Sequence, residues 1–276
     1  MIAPAMGPGA ERAGEGMIPG GAASPLRAIA TLRGVGKTFP SGVTAVKNLD
    51  LDIREGEFVS LLGPSGCGKS TALRMLAGLV PPSQGTIAWR ESRAPGDLSF
   101  VFQEPTLMPW TTVAGNVRLP LMLLGRDKQS AVPRLQQILE RVGLGAFALA
   151  YPRELSGGMK MRVSIARALV TDPKLLLMDE PFAALDEITR FKLNDDLLAL
   201  WQELRKTVIF VTHSVFESVY LSQRIVVMTP RPGRVFQEIV IGAPFPRDGS
   251  FRTSAEYAAL CRTVSQALAQ ASGPAS

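Results

Sequence analysis

The chain has 276 residues, 46% hydrophobic and 20% charged, which is enough apolar material for a real core and excludes a chain disordered throughout. Thirty Lys and Arg against 24 Asp and Glu leave a net charge of +6, a mild excess that admits phosphate, anionic lipid or nucleic-acid partners and selects none of them. Two cysteines exclude a disulfide framework and a single histidine excludes a multi-histidine zinc site.

Residues 1–27 are rich in Gly, Pro and Ala, with Glu11, Arg12, Glu15 and Arg27 interspersed, and are expected to form a flexible tail. No continuous apolar stretch follows a basic start there, so the segment does not read as a signal peptide. Ordered structure is expected from near Ala28, where Ile29, Thr31 and Leu32 begin a strand that bends at Gly34 and Gly36. Leu49, Leu51 and Ile53 alternate at the end of residues 43–53, as a half-buried strand would. Residues 58–62 are a short apolar strand ending at a glycine. Residues 70–79 then place Leu73, Leu76 and Ala77 on one helical face, and Pro81-Pro82 stops that helix. Further strands are expected over 85–89 and 98–102.

Between about residues 113 and 150 the character changes. Leu119, Leu121, Met122, Leu135, Ile138, Leu139 and Val142 fall largely at helical spacing and read as a helical insertion. Short continuous apolar runs return at 175–178, 208–211 and 225–228, which suits strands buried on both faces of a mainly parallel sheet. Helical stretches over 159–169 and 191–205 separate them, and the alternation predicts an α/β fold. Tyr257, Leu260, Cys261, Val264 and Leu268 predict an amphipathic helix over 254–270 packed on its own domain. No apolar run approaches the roughly 20 residues a spanning helix needs. The protein is therefore expected in the cytoplasm, with any membrane role exerted through a partner.

The most informative segment is Gly63-Pro64-Ser65-Gly66-Cys67-Gly68-Lys69-Ser70-Thr71, a G-x-x-x-x-G-K-[ST] phosphate loop between an expected strand and an expected helix. Its glycines let the backbone curl until several N–H groups face one anion, and the following helix adds its positive N-terminal end. Lys69 supplies a point charge for the β- and γ-phosphates of ATP, and Ser70 a hydroxyl for Mg²⁺. A second segment, the apolar run 175–178 followed by Asp179-Glu180, delivers two carboxylates at a strand's C-terminal end, where ligands gather in open α/β sheets. Asp179 is expected to hold Mg²⁺ and Glu180 to polarise the attacking water as general base.

These residues resemble an ATP-binding subunit of an ATP-binding-cassette (ABC) transporter, over roughly residues 29–237. Leu155-Ser156-Gly157-Gly158-Met159 is similar to the family's LSGGQ signature and leads into a helix. Ser156, Gly157 and Gly158 can present N–H groups to a γ-phosphate. The resemblance implies that this phosphate belongs to ATP held by a second copy, in a head-to-tail dimer with two composite sites. It also implies roles residue by residue. Gln103 looks like the Q-loop glutamine that touches Mg²⁺ or the attacking water. Asp186, in Ala184-Leu185-Asp186, resembles the D-loop aspartate acting across the dimer interface. His213 looks like the switch histidine at the γ-phosphate, and Phe39 like the aromatic that stacks on adenine. The chain departs from the family at Met159, where glutamine is usual, at Lys160-Met161-Arg162, where a second glutamine is common before the arginine, and at Ser214, where aspartate is frequent. Altered local hydrogen bonding is expected there, with hydrolysis retained.

The fold implied is a P-loop NTPase with a mainly parallel core sheet, an antiparallel β subdomain and a helical insertion. The ATPase domain is expected over 28–240, its helical lobe over about 105–165, and a C-terminal helical extension over 241–276. The stretch Gln103-Glu104-Pro105-Thr106-Leu107-Met108-Pro109-Trp110 is similar to the nitrate, sulfonate and taurine importer branch, as are Tyr151-Pro152 and Pro230-Arg231-Pro232-Gly233-Arg234. In that branch Leu107, Met108 and Trp110 are placed to receive a short helix of a transmembrane permease, and an extracytoplasmic binding protein acts through the permease. The alternatives are the ATPase of an exporter or lipid-moving system, and a soluble cassette ATPase acting on nucleic acid or the ribosome. The mild charge and the 276-residue length argue against the last.

Overall fold

The computed structural model describes residues 27–273; the tail expected over 1–27 lies, but for its last residue, outside the described residues. In chain order the elements are β1 (Ala28–Thr38), β2 (Thr44–Arg54), β3 (Phe58–Leu62), α1 (Lys69–Leu76), β4 (Gln84–Trp89), β5 (Leu98–Val101), α2 (Val113–Leu123), α3 (Lys128–Arg141), α4 (Gly157–Leu169), β6 (Leu175–Asp179), α5 (Glu187–Leu204), β7 (Thr207–Thr212), α6 (Val215–Leu221), β8 (Arg224–Met228), β9 (Val235–Val240), α7 (Gly249–Arg252) and α8 (Ala255–Ser272).

The strands form two sheets. A three-stranded antiparallel sheet runs β2-β1-β4, and a six-stranded sheet runs β5-β6-β7-β3-β8-β9. Every pairing in the larger sheet is parallel except the last, where β9 lies antiparallel on β8. Strands β3, β6, β7 and β8 are buried at every residue, which is why they read as unbroken apolar runs instead of alternating ones.

The sequence pattern misplaced one helix end, located one bend and missed one strand. The helix expected over 70–79 ends at Leu76, before the prolines, because Gly78 takes the left-handed conformation at φ +76° and lets Leu79 N–H return to the Arg74 carbonyl. The bend expected at Gly34 and Gly36 is present inside β1 as a bulge, with the register to β2 shifting between Leu32 and Val35. Strand β9 carried no usable signal: it is an edge strand whose Phe236, Gln237 and Glu238 face solvent, so no apolar run marks it.

The insertion consists of α2 and α3 packed on α4, with Val117, Leu121, Ile138, Leu139, Val142, Met161 and Ile165 buried together. Of the residues at helical spacing, Met122 instead faces solvent. Helix α8 buries Tyr257, Cys261 and Val264, as its spacing required, along with Ala267 and Ala271, against α6 and β8.

One ion pair ties the sheets together. Arg224, 2% exposed, donates to Glu57 at 2.7 and 2.8 Å, to Glu238 at 2.8 Å and to the Asp52 carbonyl at 2.7 Å. It thereby joins β8 to β9, to the turn before β3 and to β2 of the smaller sheet.

Both cysteines are free and buried, and burial pushes both thiols up from their ordinary value, at Cys67 against the lowering pull of Lys69. The thiolate is the reacting species. The folded protein is therefore expected to resist iodoacetamide near neutral pH under conditions that alkylate both cysteines of the unfolded chain, as read by mass spectrometry. Rapid labelling of Cys67 in the native state would contradict this packing.

Candidate nucleotide site

The parallel register brings three strand ends level. Leu62 of β3 pairs with Thr212 of β7, and Asp179 of β6 pairs with Val211. The loops leaving β3, β6 and β7 therefore converge at one edge of the sheet, the C-terminal edge where ligands of such sheets bind.

The loop over 63–68 joins β3 to α1. Gly66 and Gly68 adopt φ +74° and +106°, and a Cβ on Gly68 would lie 2.5 Å from the Ala45 carbonyl oxygen, so only glycine fits there. Gly68 caps α1 without any side-chain hydrogen bond, which leaves the first helical N–H groups free for an anion. Lys69 is buried, its ammonium donating to the Gly63 and Pro64 carbonyls at 2.7 and 3.0 Å and lying 3.6 Å from Glu180 Oε1.

The acidic pair meets this loop directly. Ser70 Oγ donates to Asp179 Oδ1 at 2.6 Å, and Arg74, one helical turn further, reaches Asp179 Oδ2 at 3.8 Å. Burial pushes the Asp179 carboxyl up, against the lowering pull of the Ser70 hydrogen bond and Arg74. Glu180 sits at φ +46°, a costly conformation for a non-glycine residue, of order 1–3 kcal/mol. Its N–H donates to the Val211 carbonyl at 3.0 Å, and its Oε2 lies 3.0 Å from His213 Nδ1. The strained backbone thus aims Glu180 between Lys69 and the half-exposed His213.

Beyond His213, Ser214 caps α6 by accepting from Glu217 N–H at 3.3 Å. An aspartate there would accept the same bond, so this departure leaves the helix start intact. Glu217 is buried and receives the Thr212 hydroxyl at 2.5 Å; burial pushes its carboxyl up, opposed by Thr212 and Arg190.

The remaining expected residues stand apart from this cluster. Gln103 is exposed two residues past β5, and its side chain makes no hydrogen bond among the described residues. The loop after it is held from two sides. Arg167 of α4 donates to the Pro105 and Thr106 carbonyls at 2.8 and 2.9 Å. The fully buried Asn116 of α2 accepts from Met108 N–H at 2.8 Å and donates to the Met108 carbonyl at 3.1 Å. That leaves Trp110 76% exposed, while Leu107 and Met108 are half-buried. Phe39 lies exposed in the β1–β2 turn, with Lys37 Nζ 5.6 Å from its ring centroid.

Ser156 caps α4, accepting from Met159 N–H at 3.3 Å. Gly158 packs so closely on α5 that a Cβ would meet Thr189 at 2.7 Å. Ser156 and Gly158 open onto a cavity of about 340 Å³ also lined by Arg162 and Lys192, with no residue of the phosphate loop in its lining. Asp186 caps α5 by accepting from Thr189 N–H at 2.9 Å. Within one chain the signature-like turn and the phosphate loop do not meet.

The sequence reading missed Arg74 and Arg231. Arg74 follows Ser70 by four residues on α1, a spacing that could have revealed it. Arg231 donates from Nε to the Gly66 carbonyl at 3.1 Å, a contact across 165 residues with no local signal.

Residues 46–183 match the family model for ABC transporter. Over 218 residues the chain is 50% identical to an uncharacterized ABC transporter ATP-binding protein of Methanocaldococcus jannaschii, covering 78% of this chain and 80% of the relative. Over 210 residues it is 47% identical to the aliphatic sulfonates import ATP-binding protein SsuB 1 of Pseudomonas savastanoi pv. phaseolicola, covering 75% and 84%. Among solved structures it resembles a dimeric ATP-binding cassette in a post-hydrolysis state bound to ADP and Pi, with TM-score 0.67 and 35% identity, covering 78% of this chain and all of that one. Motif geometry, relatives and fold converge, and the chain belongs to the ABC transporter family, as an ATP-binding cassette subunit whose ATP hydrolysis is coupled to transport.

Proposed function

We propose that the chain is the energy-coupling ATPase of an importer for a small anion of the nitrate, sulfonate or taurine kind. The observation that carries this reading is the 47% identity to an aliphatic sulfonates import ATP-binding protein across 84% of that relative. In this reading residues 28–240 form the ATPase domain, about 105–165 its helical lobe, and 241–276 an extension. Two copies pair head to tail on the cytoplasmic face of the membrane and dock on permease subunits, through which an extracytoplasmic binding protein delivers the anion. Nucleic acid has no part in it.

ATP phosphates occupy the loop over 63–71, held by its N–H groups and by Lys69, while Phe39 stacks on adenine. Ser70 and Asp179, already 2.6 Å apart, are hard oxygen donors that suit Mg²⁺, with Gln103 from the neighbouring loop. They make only part of a coordination shell, which fits an ion that keeps waters and phosphate oxygens as its other ligands. When bound, Mg²⁺ neutralises charge on the β- and γ-phosphates. Glu180 takes a proton from the attacking water, Gln103 orients that water, and His213 and Lys69 stabilise charge on the γ-phosphate. Ser156, Gly157 and Gly158 of the second copy close the site, and Asp186 acts across that junction. Trp110, with Leu107 and Met108 beside it, receives the permease.

Capture tests this reading. Tagged Glu180→Gln protein, loaded with ATP and Mg²⁺, is expected to co-purify from solubilised native membranes with a polytopic permease. Recovery of ribosomal proteins or DNA with no permease would overturn the importer assignment.

A further inference from the structure

We propose that Arg231 is a positioning residue for the phosphate loop, raising affinity for the nucleotide's phosphates from the loop's outer side. This inference rests on the ATP reading of that loop. The segment after β8 folds back on itself: Thr229 N–H donates to the Arg234 carbonyl at 3.0 Å, and Arg234 N–H to Thr229 Oγ1 at 3.1 Å. It is docked on β2 by Gly233 N–H to the Ala45 carbonyl at 2.9 Å and by Lys47 N–H to the Gly233 carbonyl at 3.0 Å. It also lies flat on the loop, since a Cβ on Gly233 would come within 2.1 Å of the Cys67 carbonyl oxygen. From this platform Arg231 Nε reaches the Gly66 carbonyl at 3.1 Å.

An anion cradle requires carbonyls turned out and N–H groups turned in. Ser65 and Gly66 are the exposed part of this loop, next to the buried Cys67, and Gly66 itself has the conformational freedom of φ +74°. The guanidinium ties the Gly66 carbonyl to this platform and so fixes the plane of the Gly66–Cys67 peptide, whose N–H closes the loop by donating to the Pro64 carbonyl at 3.3 Å. Charge supplies a second effect. Lys69 and Arg74 each have a carboxylate within 4 Å, in Glu180 and Asp179. Arg231 has no acidic partner among the described residues, so its charge next to the loop is not locally neutralised. Because Arg231 is exposed, that part of its effect is screened by salt.

The test is ADP binding and steady-state ATP hydrolysis by the purified full chain. Arg231→Ala is expected to weaken ADP binding and raise KM for ATP by about 3- to 10-fold, with kcat and thermal unfolding unchanged. Its affinity is also expected to fall less steeply with salt than that of the wild type. Arg231→Lys, which keeps the charge and loses the guanidinium geometry, is expected to restore the salt dependence and part of the affinity. Wild-type affinity and salt slope in Arg231→Ala would overturn the inference and leave the ATPase reading standing. Failure of the wild type itself to bind ADP would overturn both.

Discussion

Glu180→Gln is expected to lower ATP turnover by ~10²- to 10⁴-fold, the contribution typical of a positioned general base, with ATP binding retained. The geometry makes the exchange specific. Glutamine has the same shape and tolerates the left-handed φ of +46° no worse than glutamate, so the strained backbone that aims the side chain is unchanged. It also keeps a partner for His213 Nδ1 at 3.0 Å. What it lacks is a basic oxygen able to take a proton. Loss of the negative charge 3.6 Å from Lys69 leaves that ammonium more available to phosphate, so nucleotide affinity is expected to hold or rise. Single-turnover hydrolysis and equilibrium binding of ATP separate the two effects, and the trapped ATP state is expected to elute as a dimer on size exclusion. Turnover at the wild-type rate would remove Glu180 from the role of base.

Arg224→Ala is expected to destabilise the fold by about 3–5 kcal/mol, the cost of leaving a buried charge without its partner. Glu57 is 3% exposed and would lose both of its close hydrogen bonds, while the Asp52 carbonyl would lose its donor. For a chain of this size such a loss corresponds to a fall in Tm of roughly 10 °C. Pairing Arg224→Met with Glu57→Leu removes both charges and is expected to recover most of the loss, because well-packed apolar substitutes for a buried pair are often neutral. Denaturant unfolding of the three proteins decides the matter. A cost below about 1 kcal/mol for Arg224→Ala, the range of an exposed pair, would show that the pair does not bind the two sheets together.

The two predictions differ in how far their residues announced themselves. Glu180 was legible because its chemistry is local: an apolar strand that ends in two acids puts them at a sheet edge whatever the rest of the fold. The strands over 58–62, 175–179 and 207–212 were legible for a related reason, since burial on both faces demands unbroken apolar runs. Helix α8 showed its inner face through spacing alone. Strand β9 did not, because an exposed edge strand places few constraints on side chains.

Arg224 had no such voice. An arginine at the start of an apolar strand reads as a strand-flanking charge, and its partner Glu57 lies 167 residues away. Arg231 is the same case: its segment resembles the importer branch, but nothing near it in the chain points to Gly66, 165 residues away.

By itself, then, the sequence determined the strand and helix alternation, the phosphate loop over 63–71, the acidic pair Asp179 and Glu180, and the signature-like turn over 155–159. Each of these depends on neighbouring residues acting through backbone geometry. Only the tertiary structure decided that Ser70 meets Asp179, that Glu180 stands between Lys69 and His213, that Asn116 and Arg167 clamp the loop after Gln103, and that Arg231 supports the phosphate loop from behind. These depend on strand order and register. Strands distant in the chain become neighbours only when the sheet is assembled, and hydrogen bonds across such distances leave no periodicity to read.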